Sequence, residues 1–222
     1  MASRSWLAGV ALLIITSITL SLTNLAQASE PDTVDPKAEH FERHRLSLGA
    51  SVRPMSTITA MGGDGHMSEG KLELLGLVAD AGYGLRLLRH LEVGLGASYG
   101  LYYKLERSKM LAHELTIPAH VGVVIPAGRR AEVRLAGHFG WLNYWIPDQE
   151  YVSGGGGALH AMGMSGGPDV TGYFGVTDGL DVFVQTRAAW GYAAATNGVS
   201  YLEGVHVVSL VVGSGLGVRV RL

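Results

Sequence analysis

The chain has 222 residues, of which 47% are hydrophobic and only 16% charged, with 32 glycines and a formal net charge of -2. A charge-poor, nearly neutral chain excludes a nucleic-acid binder that works through basic charge, and it is short of the charge a soluble surface carries. The absence of cysteine removes structural disulfides, thiolate metal sites and a lipidated N-terminal cysteine together.

The first 28 residues read as an export signal. Arg4 supplies the positive start, an apolar run spans residues 6–22, and Ala26-Gln27-Ala28 forms a small-x-small cleavage site, so cleavage after Ala28 is expected. Residues 29–42, with Pro31, Pro36 and several acids, read as a disordered lead-in. Residues 43–222 then alternate with a period of two, the signature of β-strands.

In the first predicted strand, 44–53, Leu46, Leu48, Ala50 and Val52 alternate with Arg45, Ser47, Gly49, Ser51 and Arg53 and stop at Pro54; a loop is expected over 54–71. The strands 72–87 and 91–103 follow. Leu75, Leu77, Ala79, Ala81, Tyr83, Leu85 and Leu87 share one face of the former, as do Leu91, Val93, Leu95, Ala97, Tyr99, Leu101 and Tyr103 of the latter. Opposed residues must point the same way, so parity demands a three-residue loop, 88–90, with Arg86 facing Glu92.

A fourth strand is expected over 113–125, where Pro118 forfeits a ladder hydrogen bond and predicts a bulge. After a tight turn at 126–130, strand 131–145 sets Val133, Leu135, Phe139, Trp141 and Trp145 against Glu132, Arg134, His138 and Tyr144. The longest connection is expected over 146–167, because Gly154 to Gly157 and further small residues fill it. Asp169, Thr171 and Tyr173 then alternate with Val170, Gly172 and Phe174, and Thr177-Asp178-Gly179 reads as a hairpin loop with Gly179 left-handed. The seventh strand continues through Tyr192, and the last runs from Val205 to the end, Val208, Leu210, Val212, Leu216, Val218, Val220 and Leu222 alternating with small residues, Arg219 and Arg221.

Three features turn the apolar set toward lipid. The other face is mostly small residues with isolated charges, which suits the inside of a narrow barrel. Connections alternate between short turns and longer loops. Finally Tyr103, Trp141, Trp145, Trp190 and Tyr192 gather at one level, predicting an outer aromatic girdle roughly 25 Å above the tight turns at ~3.3 Å per residue. With this pattern, the export signal and a C-terminal strand, the chain resembles the small eight-stranded outer-membrane barrels, the OmpA transmembrane-domain and OmpX-like family of Gram-negative bacteria. That resemblance implies an all-β, eight-stranded antiparallel up-and-down transmembrane barrel with short periplasmic turns and longer external loops. It also implies a monomer inserted by the barrel-assembly machinery, surrounded by outer-membrane lipid and lipopolysaccharide.

The candidate site is the inner face, where Asp80, Glu92, Glu132 and Asp181 meet Arg86, Arg134, Arg187, Arg219 and Arg221; Glu114, Arg45, Arg53 and Lys104 share that face. Arg219 and Arg221 are expected beside Asp181. In a lumen this narrow the charges read as a plug of ion pairs rather than an anion-preferring constriction. His66 and Ser68 with Glu69 have the letters of the pair in the lipid A deacylase barrels, but stand in a Gly-rich loop without a third group. His113 and His206 fall in the lipid-facing set near the outer rim, and His120 and His138 face inward on adjacent strands. No catalytic residue, metal or cofactor is assigned. The reading is a non-enzymatic outer-membrane barrel acting through its external loops, with a lipid-modifying enzyme or a narrow channel for small solutes as the alternatives. A soluble barrel of lipocalin type is the inverse arrangement, with the apolar set inside.

Overall fold

A computed structural model of the protein describes residues 44–61, 72–104, 109–146, 159–196 and 206–222. They form eight strands: β1 His44–Met61, β2 Leu72–Leu88, β3 Leu91–Lys104, β4 Lys109–Pro126, β5 Ala131–Ile146, β6 Leu159–Gly175, β7 Leu180–Ala195 and β8 His206–Arg221. Each pairs antiparallel with the next and β8 closes on β1, giving one up-and-down barrel. The signal, the lead-in and the His66, Ser68, Glu69 cluster lie outside the described residues.

Closure fixes the stagger. From Glu132, ladder partners run through Tyr173, Phe183, Gly217, Gly49, Asp80, Ser98 and Thr116 and return to β5 at Leu142, ten residues along. Eight strands with this stagger tilt by roughly 40° and enclose a lumen that side chains fill.

The apolar set faces outward. Leu216 is 69% exposed and Leu48 64%, while Asp181 and Glu92 inside are 2% exposed. Of the two orientations left open by alternation, the soluble one is thereby overturned. An apolar wall on every strand needs an apolar solvent, and the reverse orientation would set arginines in lipid at ~2–4 kcal/mol each near the midplane.

The ladders depart from expectation where proline and glycine were read as stops. β1 does not end at Pro54; it runs to Met61, and a register shift between Arg53 and Ser56 absorbs the proline as a bulge. Pro118, by contrast, makes no bulge. It faces Gly140 in an unshifted β4–β5 ladder, while on the other side the β3–β4 pairing omits Gly96 and Ala97; the bulge of that pair falls between Tyr102 and Tyr103. The missing N–H thus costs local pairing but not register.

Residues 159–167, expected as loop, belong to β6, which pairs with β5 without a break from Leu159 to Phe174. Glycine there permits close strand approach: a Cβ on Gly163 would run into the carbonyl of Tyr192. In the β2–β3 hairpin Arg86 does face Glu92, but Leu88 pairs with Leu91, so the extra residue is a bulge at Leu87. Val176 bonds to Leu180 as parity requires, at 2.9 Å. Gly179 is not left-handed, however; among the described glycines only Gly128, in the β4–β5 turn, has positive φ, 121°.

Gly163→Val is expected to destabilise the folded barrel by about 1–3 kcal/mol through this backbone collision. Gly137→Val, with nothing within 4 Å of the added Cβ, is expected to be neutral. Urea unfolding of both variants in detergent micelles, followed by gel mobility of unheated samples, checks the contrast.

Candidate functional site

The inner face is layered along the axis. Nearest the tight turns, the carboxylate of Glu132 on β5 meets guanidinium groups from three strands: Arg45 at 3.0 Å, Arg86 at 2.9 Å and Arg219 at 2.9 Å. Arg219 also binds Asp181 at 2.6 Å, and Arg221 holds the other oxygen of that carboxylate at 2.6 Å. One turn of the network higher, Glu92 accepts from Arg134 at 2.9 Å and lies 3.5 Å from Arg45. Arg134 continues to Asp169 at 3.0 Å. The Tyr173 ring lies beneath Arg219, with the guanidinium carbon 3.5 Å from its centroid, a buried cation–π contact.

Buried charges of this kind are tolerable only when each is paired and hydrogen-bonded, because taking one ion out of water costs several kcal/mol. The strands supply that pairing by alternation: positions facing inward come from every second residue, and long arginine stems span the narrow lumen to reach carboxylates on other walls.

Midway up, Asp80 accepts hydrogen bonds from Ser98 at 2.5 Å and Ser51 at 3.1 Å, with Arg187 at 3.5 Å. His120 and His138 are direct ladder partners, but each turns to its own carboxylate, His120 to Glu92 at 3.7 Å and His138 to Asp169 at 3.9 Å. Between them lies a cavity of about 50 Å³ bordered by Asp80, Ser98, His138 and Arg187, room for a few waters. Among the described residues no three acidic or histidine side chains converge as a metal set.

Above this chamber ring and methyl groups pack together in the lumen. Tyr102, Leu142 and Tyr144 are all but fully buried and pack with Ala112, Ala161, Ala193 and Val207. The polar tips are satisfied: Tyr102 donates to Glu114 at 2.8 Å, Arg53 donates to both Glu114 at 2.6 Å and the Tyr102 hydroxyl at 2.8 Å, and Tyr144 donates to Ser209 at 2.9 Å. A small apolar plug therefore sits on a buried ion pair.

Asp80, Arg86, Glu92, Glu132, Arg134, Asp181, Arg187, Arg219 and Arg221 all face the lumen, and Arg219 and Arg221 meet Asp181 as neighbouring strands dictate. The ladder opposition of Arg86 and Glu92 does not become their ion pair: Arg86 reaches across to Glu132 instead. Asp169 and the tyrosine plug were not singled out in the sequence, although inward parity on β3, β5 and β6 marked each of them. Trp141, Trp145, Trp190 and Tyr192 point outward and are at least a third exposed, and Tyr103 is a ladder partner of the outward Leu75.

No protein-family profile matches the chain, and no curated protein matches it. Among solved structures, it is similar to Neisserial surface protein A, with 14% identity over 80% of this chain and 97% of that one and a TM-score of 0.47. OprG from Pseudomonas aeruginosa gives 10% identity over 80% and 94%, also with a TM-score of 0.47. The N-terminal barrel domain of Pseudomonas aeruginosa OprF gives 13% over 78% and 96%, with a TM-score of 0.37. The chain has the fold of a small eight-stranded outer-membrane barrel. That assignment rests on its own closed ladder and inverted faces.

Glu132→Gln leaves three arginines around a neutral amide, and is expected to destabilise the barrel by about 3 kcal/mol. Adding Arg86→Gln is expected to recover part of that loss, because one of the unpaired cations goes with it. Urea unfolding midpoints of the single and double variants check the coupling.

Proposed function

We propose that the protein is a non-enzymatic component of the Gram-negative outer membrane, a monomeric barrel with a closed lumen that works through its external connections. The observation that carries this reading is the packing at two levels, an ionic layer around Glu132 and the tyrosine plug around Tyr102 and Tyr144, with a cavity of about 50 Å³ between them. A conducting pore needs a continuous wet path, and both layers are packed across it. The inner charges then act as mortar for the barrel rather than as a filter, and the outward Trp141, Trp145, Trp190 and Tyr192 anchor it at the headgroup level.

In this reading outer-membrane lipid and lipopolysaccharide surround the wall, and the barrel-assembly machinery inserts it. The connections between β1 and β2 and between β5 and β6 face the exterior and meet a surface partner.

In planar bilayers at high salt the protein is expected to give no unit conductance steps, whereas Tyr102→Ala/Tyr144→Ala, which empties the plug, is expected to give transient ones; steps from the unaltered protein would overturn the closed-lumen reading. Fractionation of cells expressing the full chain, with boiled and unboiled gels, tests location: outer-membrane recovery and a heat-dependent shift are expected. Release as a soluble periplasmic protein would overturn it.

A further inference from the structure

Every outward-facing histidine on the described strands leans on an aromatic ring from the neighbouring strand. His44 meets Tyr83, His113 meets Tyr99, His160 stacks on Trp145 with the ring planes 9° apart, and His206 stacks on Tyr192. In three of these the tyrosine hydroxyl meets histidine Nδ1: Tyr83 and His44 at 2.5 Å, near the tight-turn end of the wall, and two pairs at the opposite end. The Tyr99 hydroxyl lies 2.6 Å from His113 Nδ1, and the Tyr192 hydroxyl lies 2.7 Å from His206 Nδ1. Each pair is separated by 14 residues along the chain and bridges its strands diagonally, across β3 and β4 in one case and β7 and β8 in the other. Those two strand pairs stand on opposite walls of the barrel.

Both histidines sit at the end of the wall far from the tight turns, His206 at the first position of β8 and His113 in the first turns of β4. Toward the midplane the outward positions become apolar: Val208 and Leu210 follow His206, and Leu115 and Ile117 follow His113. The rings therefore stand where the hydrocarbon ends. A tyrosine hydroxyl is a hydrogen-bond donor, and a neutral imidazole offers one nitrogen as acceptor. When the hydroxyl donates to Nδ1, the ring proton is confined to Nε2, on the far side from the tyrosine. A donor at the edge of a water-free band needs an acceptor, and the strongest at that depth is the anionic phosphate oxygen of a lipid headgroup.

We propose that Tyr99–His113 and Tyr192–His206 are two rim sites that bind the phosphate of lipid headgroups through histidine Nε2. The proposal rests on the membrane reading above and adds a lipid class to it. The tyrosines are positioning residues: they touch no headgroup but choose which imidazole nitrogen carries the proton.

The test is native mass spectrometry of the full barrel in detergent, titrated with phosphatidylglycerol or with a diacyl glycolipid that has the same chains and ester linkages but no phosphate. The unaltered protein is expected to retain two phosphatidylglycerol molecules more tightly than the glycolipid. His113→Phe/His206→Phe, which keeps the rings and removes the donors, is expected to lose about tenfold in phosphatidylglycerol retention with the glycolipid unchanged. Tyr99→Phe/Tyr192→Phe is expected to lose part of it, with the histidines still present. Equal retention of the two lipids, or an equal loss of both in the variants, overturns the proposal. Flotation of each protein with vesicles is read in parallel: failure of the unaltered protein to float sinks the membrane reading, whereas flotation without phosphate preference sinks only the rim sites.

Discussion

A backbone amide in hydrocarbon has no partner except another peptide group, so a sheet that spans lipid must close on itself. Here eight strands close with a stagger of ten residues, and that geometry determines almost everything inside. It sets how wide the lumen is and which residues share a level. It also determines how far an arginine must reach to cross. A wall one strand thick has no second layer to bury against, so the apolar side chains go to the lipid and the lumen keeps everything else.

The interior is consequently an ionic solid more than a hydrophobic core. Glu132 draws guanidinium groups from β1, β2 and β8, which ties non-adjacent walls to β5 across the axis. Such a network adds little net stability relative to well-packed apolar residues, since desolvation cancels much of the attraction. Its value lies in geometry: a slip of any one strand would point its charges into lipid and leave their partners buried alone. The same crossing side chains occupy the lumen, so the side chains that hold the register also fill its cross-section near Glu132. Above it, Tyr102 and Tyr144 add buried bulk that arginine lacks.

Register neighbours were readable from alternation alone. Arg219 and Asp181 could be paired on paper because they sit on adjacent strands joined by parity, and the structure puts them 2.6 Å apart. Arg86 shows where that logic ends. Its ladder partner is Glu92, yet it bonds Glu132, three strands away, because a long side chain in a narrow tube is free to choose among walls. Pro54 and the stretch 159–167 misled in another way: both were read as loop, but a bulge absorbs the proline and β6 starts at Leu159, where Gly163 permits close strand approach.

By itself the amino-acid sequence determined that this chain alternates with a period of two, which residues share a face, and where the tight hairpins fall, because these follow from the local geometry of an extended backbone. The continuation of β1 past Pro54, the start of β6 at Leu159, the meeting of three arginines on Glu132 and the Tyr–His pairs at the rim were decided only by the tertiary structure. The physical reason is the stagger. Side chains distant in the chain become neighbours only when the closing β1–β8 ladder sets how far each strand is displaced along the next, and no local pattern encodes that displacement.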